Sequence, residues 1–187
     1  MGRHKKMNFD KPLTGFSPKG PIQDWIVQAF NAEKVGTKLL MYSYTNSAIE
    51  KAQLDMIGRG AWSKNVLDRI QTNGAQAKIH DDIEAKIKAS ENPKSSIALL
   101  SPKGGIMHIK GCVFVGLGLM TFGSFNWTER AQNANYEIAH VTSDPALVKA
   151  LNDEFDRVSP LASLEVPISQ REHERTERSK LAASIQY

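Results

Sequence analysis

Apolar residues recur along the first part of the chain at two different periods. Ile22, Trp25, Ile26 and Phe30 stand at steps of one, three and four, the stripe of a helix that turns one face to a core. Pro18 and Gly20-Pro21 break the chain just before it, so "FSPKG" reads as a turn feeding that helix. Leu39, Leu40, Met41, Tyr42 and Tyr44 form a short aromatic run, which predicts a buried strand. Helical patterning resumes in "NSAIEKAQLDMIGRG". Asn46 or Ser47 supplies the N-cap, with Glu50 three residues after Ser47 as in a capping box, and Gly58 and Gly60 supply the stop.

The stretch "AWSKNVLDRIQTNG" reads as a second helix closed at Asn73-Gly74, followed by a short strand through Ala77 and Ile79. "HDD" at His80–Asp82 then reads as a strand end and helix cap, and "IEAKIKAS" as a further turn or two of helix. "ENPKS" is a loop, "SIALLS" a strand and "PKGG" a turn. From Ile106 to Thr142 β signals dominate, in "IMHIKGCVFVG", "LGLMTFGS" and "YEIAHVTS". Asp144-Pro145 opens a last helix, because proline is tolerated in a first turn, and Leu147, Leu151 and Phe155 share one face of it. The order predicts an α/β layered domain. After Pro160 the chain is polar almost all round, as in a solvated helix or a tail.

Composition narrows the class. A chain of 187 residues with 41% hydrophobic and 24% charged residues is globular, with room for one core. A net charge of +4 permits an anionic partner. A single cysteine, Cys112, rules out an intrachain disulfide and a Cys-rich zinc site. No apolar run approaches the roughly 20 residues of a membrane span. The start, "MGRHKKMNFDK", has charge without an apolar stretch behind it, and Lys6 stands where a myristoylation motif wants Ser or Thr. These features predict a cytoplasmic protein without stable membrane insertion. They divide it into a basic arm (1–11), a globular domain (12–160) and a polar C-terminal tail or helix (161–187). Arg3, Lys5 and Lys6 of the arm suit backbone phosphates, or equally a solubilising tail.

Candidate chemistry concentrates in the β-rich segment. His108 and Lys110 are two apart, so in a strand they project to one face. Lysine supplies a point charge for a phosphate, and imidazole can attack phosphorus or donate a proton. Taken alone, so short a motif as His-x-Lys reads far more readily as an ordinary strand edge with incidental polar residues. Gly123 suits a close backbone approach or a positive φ. Ser124 and Asn126 again share a face and offer donors to phosphate oxygens, while Phe125 and Trp127 point the other way into packing. Glu137, in "NANYE", is a carboxylate able to fix an imidazole tautomer.

Together, His108-x-Lys110, Gly123-Ser124-x-Asn126 and Asn135-x-Glu137 strongly resemble the signature of the phospholipase D superfamily. "FSPKG", "YSYT" at Tyr42–Thr45 and "ALNDEFDRV" are similar to segments of its small single-motif bacterial endonucleases. The resemblance runs from about Asn8 to Pro160 and is strongest over 106–142. It implies a phospholipase D-like layered fold, a mixed β-sheet flanked by helices. Two departures stand out. The family's Asp five positions after the Lys is replaced by Val115, or by Gly116 if the gap is moved. There is also one extra residue between the Lys and the Gly-Ser.

The resemblance further implies a homodimer with a shared site, because one chain carries one His-x-Lys motif where the reaction uses two histidines. His108 is then nucleophile in one subunit and general acid in the other. Lys110, Ser124 and Asn126 bind the phosphate oxygens, and Glu137 orients the His108 of its own subunit. No metal or other cofactor is expected. The expected activity is a metal-independent phosphodiesterase, most simply a non-specific endonuclease acting on DNA or RNA. The alternatives are a phospholipid phosphodiesterase and a catalytically degenerate nucleic-acid-binding protein that lacks the motif Asp.

Overall fold

The computed structural model describes residues 11–72, 75–100, 102 and 105–162. The basic arm with Arg3, Lys5 and Lys6, and the tail from 163 onward, lie outside the described residues. Seven strands form one mixed sheet in the order β1-β7-β6-β5-β2-β3-β4. β2 (Gly36–Met41), β3 (Trp62–Asp68) and β4 (Ser96–Leu100) run parallel. β5 (Lys110–Phe114), β6 (Leu119–Gly123), β7 (Glu137–Thr142) and β1 (Leu13–Ser17) add antiparallel pairs beside β2. This is the mixed sheet with flanking helices that the sequence implies.

Strand alternation divides the core between the two faces. On β2, Leu39 and Met41 join the larger cluster under α1 (Ile22–Ala32), α2 (Ser47–Gly58) and α3 (Ala75–Ser90), while Leu40 joins Phe155 and Val158 of α5 (Pro145–Val158) on the other face. Both faces of the central strands are covered, which is why β2 reads as a continuous apolar run. α1 buries Ile22, Ile26, Ala29 and Phe30; Trp25 of the predicted stripe is half-buried and packs against the same cluster. Asp144 caps α5 through Oδ1, which accepts from the amides of Ala146 and Leu147.

Several expectations need correction. Trp62–Asp68 is strand β3 and not a helix. Its inward positions include Ser63 and Asn65, which a hydrophobic pattern cannot register as core. They are buried because Gln53 of α2 donates to Ser63 Oγ at 3.0 Å and to Asn65 Oδ1 at 2.7 Å. Ala77 and Ile79 lie in helix α3, whose buried Ile79 and Ile83 continue one stripe to Ile87. His80–Asp82 is therefore mid-helix, not a strand end with a cap. Asn46 caps α2, its Oδ1 accepting from Ile49 N at 3.0 Å, so Glu50 falls one position beyond a capping box. Two elements went unread: edge strand β1, and the short helix α4 (Glu129–Asn133) capped by Thr128. No helix among the described residues is long and apolar enough to cross a membrane.

Candidate active site

Sheet register gathers the motif residues on one edge of the sheet. β2 runs toward this edge and β5 away from it, pairing Met41 with Lys110. β6 returns to it and β7 departs, pairing Gly123 with Ala139. The C-terminal ends of β2, β3 and β6 therefore meet the N-terminal ends of β5 and β7. Carboxyl ends of parallel strands are a common location for ligand sites in α/β sheets.

His108 does not lie in the strand as its spacing suggests; β5 begins at Lys110. Its side chain is exposed, and its ring meets Tyr42 edge-on with centroids 4.5 Å apart. Lys110 is only 7% exposed. Its Nζ donates to the His108 carbonyl at 2.7 Å and sits 4.8 Å from the centroid of the same Tyr42 ring. Burial pushes the Lys110 ammonium below the ordinary lysine range, with the Glu137 carboxylate working in the opposite direction. A cation held there with little water gains on meeting a phosphate.

The Gly-Ser-x-Asn segment leaves β6 through Gly123, whose φ is +154° and where a Cβ would lie 2.2 Å from the Ile138 carbonyl oxygen. That close approach excludes a side chain. Ser124 then closes onto β7: its Oγ donates to Glu137 Oε2 at 2.5 Å and accepts from Ile138 N at 3.1 Å. Asn126 Oδ1 accepts from Ser43 N at 3.3 Å, next to Tyr42. Phe125 and Trp127 are buried, as their alternation predicts.

Glu137 is held from two sides. Ser124 binds one oxygen, and Asn135 Nδ2 donates to the other at 3.1 Å. No described hydrogen bond joins Glu137 to the His108 of the same chain, so the orienting contact implied by the resemblance is not made within one chain. Tyr42 is the residue that pattern reading missed: both His108 and Lys110 rest on it, and its hydroxyl accepts from Gln71 Nε2 at 2.9 Å. The "YSYT" segment was legible only as similar to a family segment.

The missing motif Asp has a local counterpart. Gly116 stands in the turn between β5 and β6, and its amide donates to both Glu33 carboxylate oxygens at 3.0 Å. Leu117 N donates to Oε2, and the amides of Lys34, Val35 and Gly36 donate to Oε1. An acidic group meets this turn, but it arrives from the end of α1.

His108 also forms part of the wall of a cavity of about 540 Å³. Leu100, Ile106, Met107, Ile109, Val158 and Leu161 line it, with Glu154 and Arg157 as its charged residues. Elsewhere, His80, Asp81 and Glu84 bring one ligand atom each within 4.8 Å on α3. Exposed acidic groups often cluster so, and these belong to a helix remote in sequence from the motifs.

A family model described as "Cardiolipin synthase, PLD-like domain" matches residues 26–159. The chain belongs to this PLD-like domain family. The PLD-like chain is 27% identical over 120 residues to a mitochondrial cardiolipin hydrolase of Chlamydomonas reinhardtii, covering 64% of this chain and 49% of that protein. It is 26% identical over 142 residues to a phospholipase D of Rickettsia bellii, covering 76% of this chain and 66% of that protein. It thus spans about half to two thirds of these relatives' length. In fold it matches the phospholipase D family member Nuc from Salmonella typhimurium, with TM-score 0.69 and 24% identity, over 84% of this chain and 99% of that one.

Proposed function

We propose that the PLD-like chain is a metal-independent phosphodiesterase acting through a phosphohistidine, and that its substrate is a nucleic acid. One observation carries the reading: exposed His108 and buried, cationic Lys110 rest on one Tyr42 ring at the sheet edge where Ser124, Asn126 and Glu137 also converge. In the first step His108 attacks phosphorus and the P–O bond to the leaving group breaks. His108 of the partner subunit gives its proton to that oxygen, releasing an alcohol. In the second step the same partner histidine takes a proton from water, which attacks phosphorus and frees His108. The products are a phosphomonoester and an alcohol. Lys110 compensates the charge that develops on the non-bridging oxygens, and Ser124 and Asn126 bind them.

The net charge of +4, and the resemblance to small single-motif bacterial endonucleases, support a nucleic acid as substrate. The test is cleavage of plasmid and single-stranded DNA and RNA in EDTA. The expected result is EDTA-resistant cleavage that His108→Ala abolishes. Dependence on added Mg²⁺ would overturn the mechanism, and a monomer at working concentration would overturn the shared site.

A phospholipid is the second reading, favoured by the cavity that His108 lines. Its wall is mainly aliphatic and, among the described residues, has no Phe, Tyr or Trp on which a base could stack. Release of the headgroup from anionic phospholipid vesicles, without cleavage of nucleic acid, would select it.

A further inference from the structure

The candidate nucleophile projects from irregular backbone ahead of β5; Tyr42 N donates to the Ile109 carbonyl at 3.1 Å and Lys110 Nζ to the His108 carbonyl at 2.7 Å, and neither bond orients the imidazole ring. Among the described residues, the imidazole's one ring partner is Tyr42. Tyr42 is held in turn by Gln71, whose Nε2 donates to its hydroxyl at 2.9 Å. Gln71 follows the end of β3, and its backbone amide donates to Asp68 Oδ1 at 3.1 Å, beside that of Ile70 at 2.9 Å. The second oxygen of the same carboxylate, Oδ2, accepts from Met107 N at 2.9 Å, and Met107 is the residue immediately before His108.

Asp68 is fully buried. An Asp that only closed a turn would need just the amides two and three residues on. The bond to Met107 reaches 39 residues along the chain and serves no turn. One carboxylate thus grips the histidine from two directions. It holds the backbone before His108 directly, and it holds the ring on which His108 leans through Gln71 and Tyr42.

We propose that Asp68 is a positioning residue for His108, acting through Met107 on one arm and through Gln71 and Tyr42 on the other. The assignment rests on His108 being the nucleophile only for its kinetic consequence; the geometric claim stands apart from any activity. Displacing a reacting nitrogen by a fraction of an ångström slows attack while leaving phosphate binding to Lys110, Ser124 and Asn126 in place.

Asp68→Asn separates the arms. The amide can keep its oxygen toward Ile70 and Gln71, but its NH₂ then faces the Met107 amide, donor to donor. Gln71→Leu removes the other arm at a less buried position. The experiment uses the full-length chain with ¹³C-labelled histidine, the His108 ring signals being assigned with His108→Gln. The non-natural diester bis(4-nitrophenyl) phosphate serves as the kinetic probe in EDTA.

The expected result is that Asp68→Asn and Gln71→Leu each shift the His108 ring signals and leave those of His80 and His140 in place. The expected fall in kcat is roughly 10- to 100-fold with KM within about twofold. Ring signals of His108 unchanged in both folded variants overturn the proposal, whatever the kinetics. A loss of rate that merely follows the fraction of folded protein, with all histidine signals moving together, overturns it too. If the wild type hydrolyses no diester but the His108 signals move as stated, positioning is upheld and the phosphodiesterase reading is the one that fails.

Discussion

The Gly116 amide donates to both carboxylate oxygens of Glu33 at 3.0 Å, across 83 residues of sequence. Glu33 is fully buried and accepts from five backbone amides in all, of Lys34, Val35, Gly36, Gly116 and Leu117. A buried carboxylate stripped of water is sustained only by such donors. The turn that joins β5 to β6 is therefore tied to the end of α1. Glu33→Ala leaves these amides without their acceptor, and we expect a loss of about 2–4 kcal/mol in urea denaturation. A loss below about 1 kcal/mol would show that water replaces the carboxylate at little cost.

Restoring the family acid at this turn should harm the protein. A Cβ at Gly116 would lie 2.4 Å from Glu33 Oε1 and 2.8 Å from Val35 Cγ2. Gly116→Asp adds that collision and places a second carboxylate beside a buried one, so we expect at least about 2 kcal/mol of destabilisation. Val115 is 38% exposed, and Val115→Asp is expected to be much milder. Neither substitution should raise the rate of phosphodiester cleavage, because Glu33 already fills the amides of this turn. An increase in kcat for Val115→Asp would refute that account.

What the sequence made legible follows the range of the interactions involved. The stripe of α1, the apolar run of β2 and the Asp144 cap of α5 are set by residues within one or two turns of each other, and all three were readable. β3 was not, because Ser63 and Asn65 become core residues only when Gln53 satisfies them. α3 was cut at Asp81-Asp82, although Ile79, Ile83 and Ile87 continue the helical stripe through it. β1 has its pairing partner in β7, more than a hundred residues away. The five motif residues were legible as a pattern, and the sheet register brings them to one edge. Their supports were not legible: Tyr42 meets Gln71 across 29 residues, Asp68 meets Met107 across 39, and Glu33 meets Gly116 across 83.

Gly123 offers a test of how tightly the phosphate-binding segment is placed. A methyl there would press on the Ile138 carbonyl and on the Cα of Ala139 at 2.9 Å, so the backbone must move. Ser124 and Asn126 follow immediately and would move with it. Gly123→Ala is expected to cost about 2–3 kcal/mol and to raise KM for a phosphodiester substrate as well as lower kcat. Stability and kinetics within error of wild type would show that the strand end is free to shift.

Lys110 links the site to the pH dependence of folding. Burial lowers its pKa in the folded state, so over a window below the ordinary lysine value the unfolded chain binds more protons than the folded one. Stability conferred by this position therefore rises with pH across that window, up to about pH 10.4. Lys110→Met has no ammonium to titrate at this position. The wild type should gain stability relative to Lys110→Met between neutral pH and about pH 10.4, in denaturation series at matched ionic strength. Activity should fall by about 100-fold or more in the variant. A stability difference that stays flat over this range would mean that the ammonium is not desolvated.

Glu50 lies on α2 facing α3, and its pKa is raised, first by burial and then by a hydrogen bond shared with Asp82. Asp82 is shifted the other way, chiefly by its hydrogen bond to Lys78. Once Glu50 ionises, no donor among the described residues reaches its buried Oε1. The folded state thus holds the Glu50 proton more tightly than the unfolded chain does. Its contribution is fully present below the unfolded value of about 4.3 and is lost as pH rises through the higher folded value. Glu50→Gln keeps a donor toward Asp82 and removes the ionisation. It should match the wild type below about pH 4 and exceed it at neutral pH. The Asp82–Lys78 pair is present in both proteins, but Lys78 also attracts the ionised Glu50, which offsets part of the gain. Urea denaturation of the two at pH 3.5, 5 and 7 tests the sign, and a Glu50→Gln variant less stable than wild type at pH 7 would place the ionised carboxylate among the stabilising groups of the α2–α3 contact.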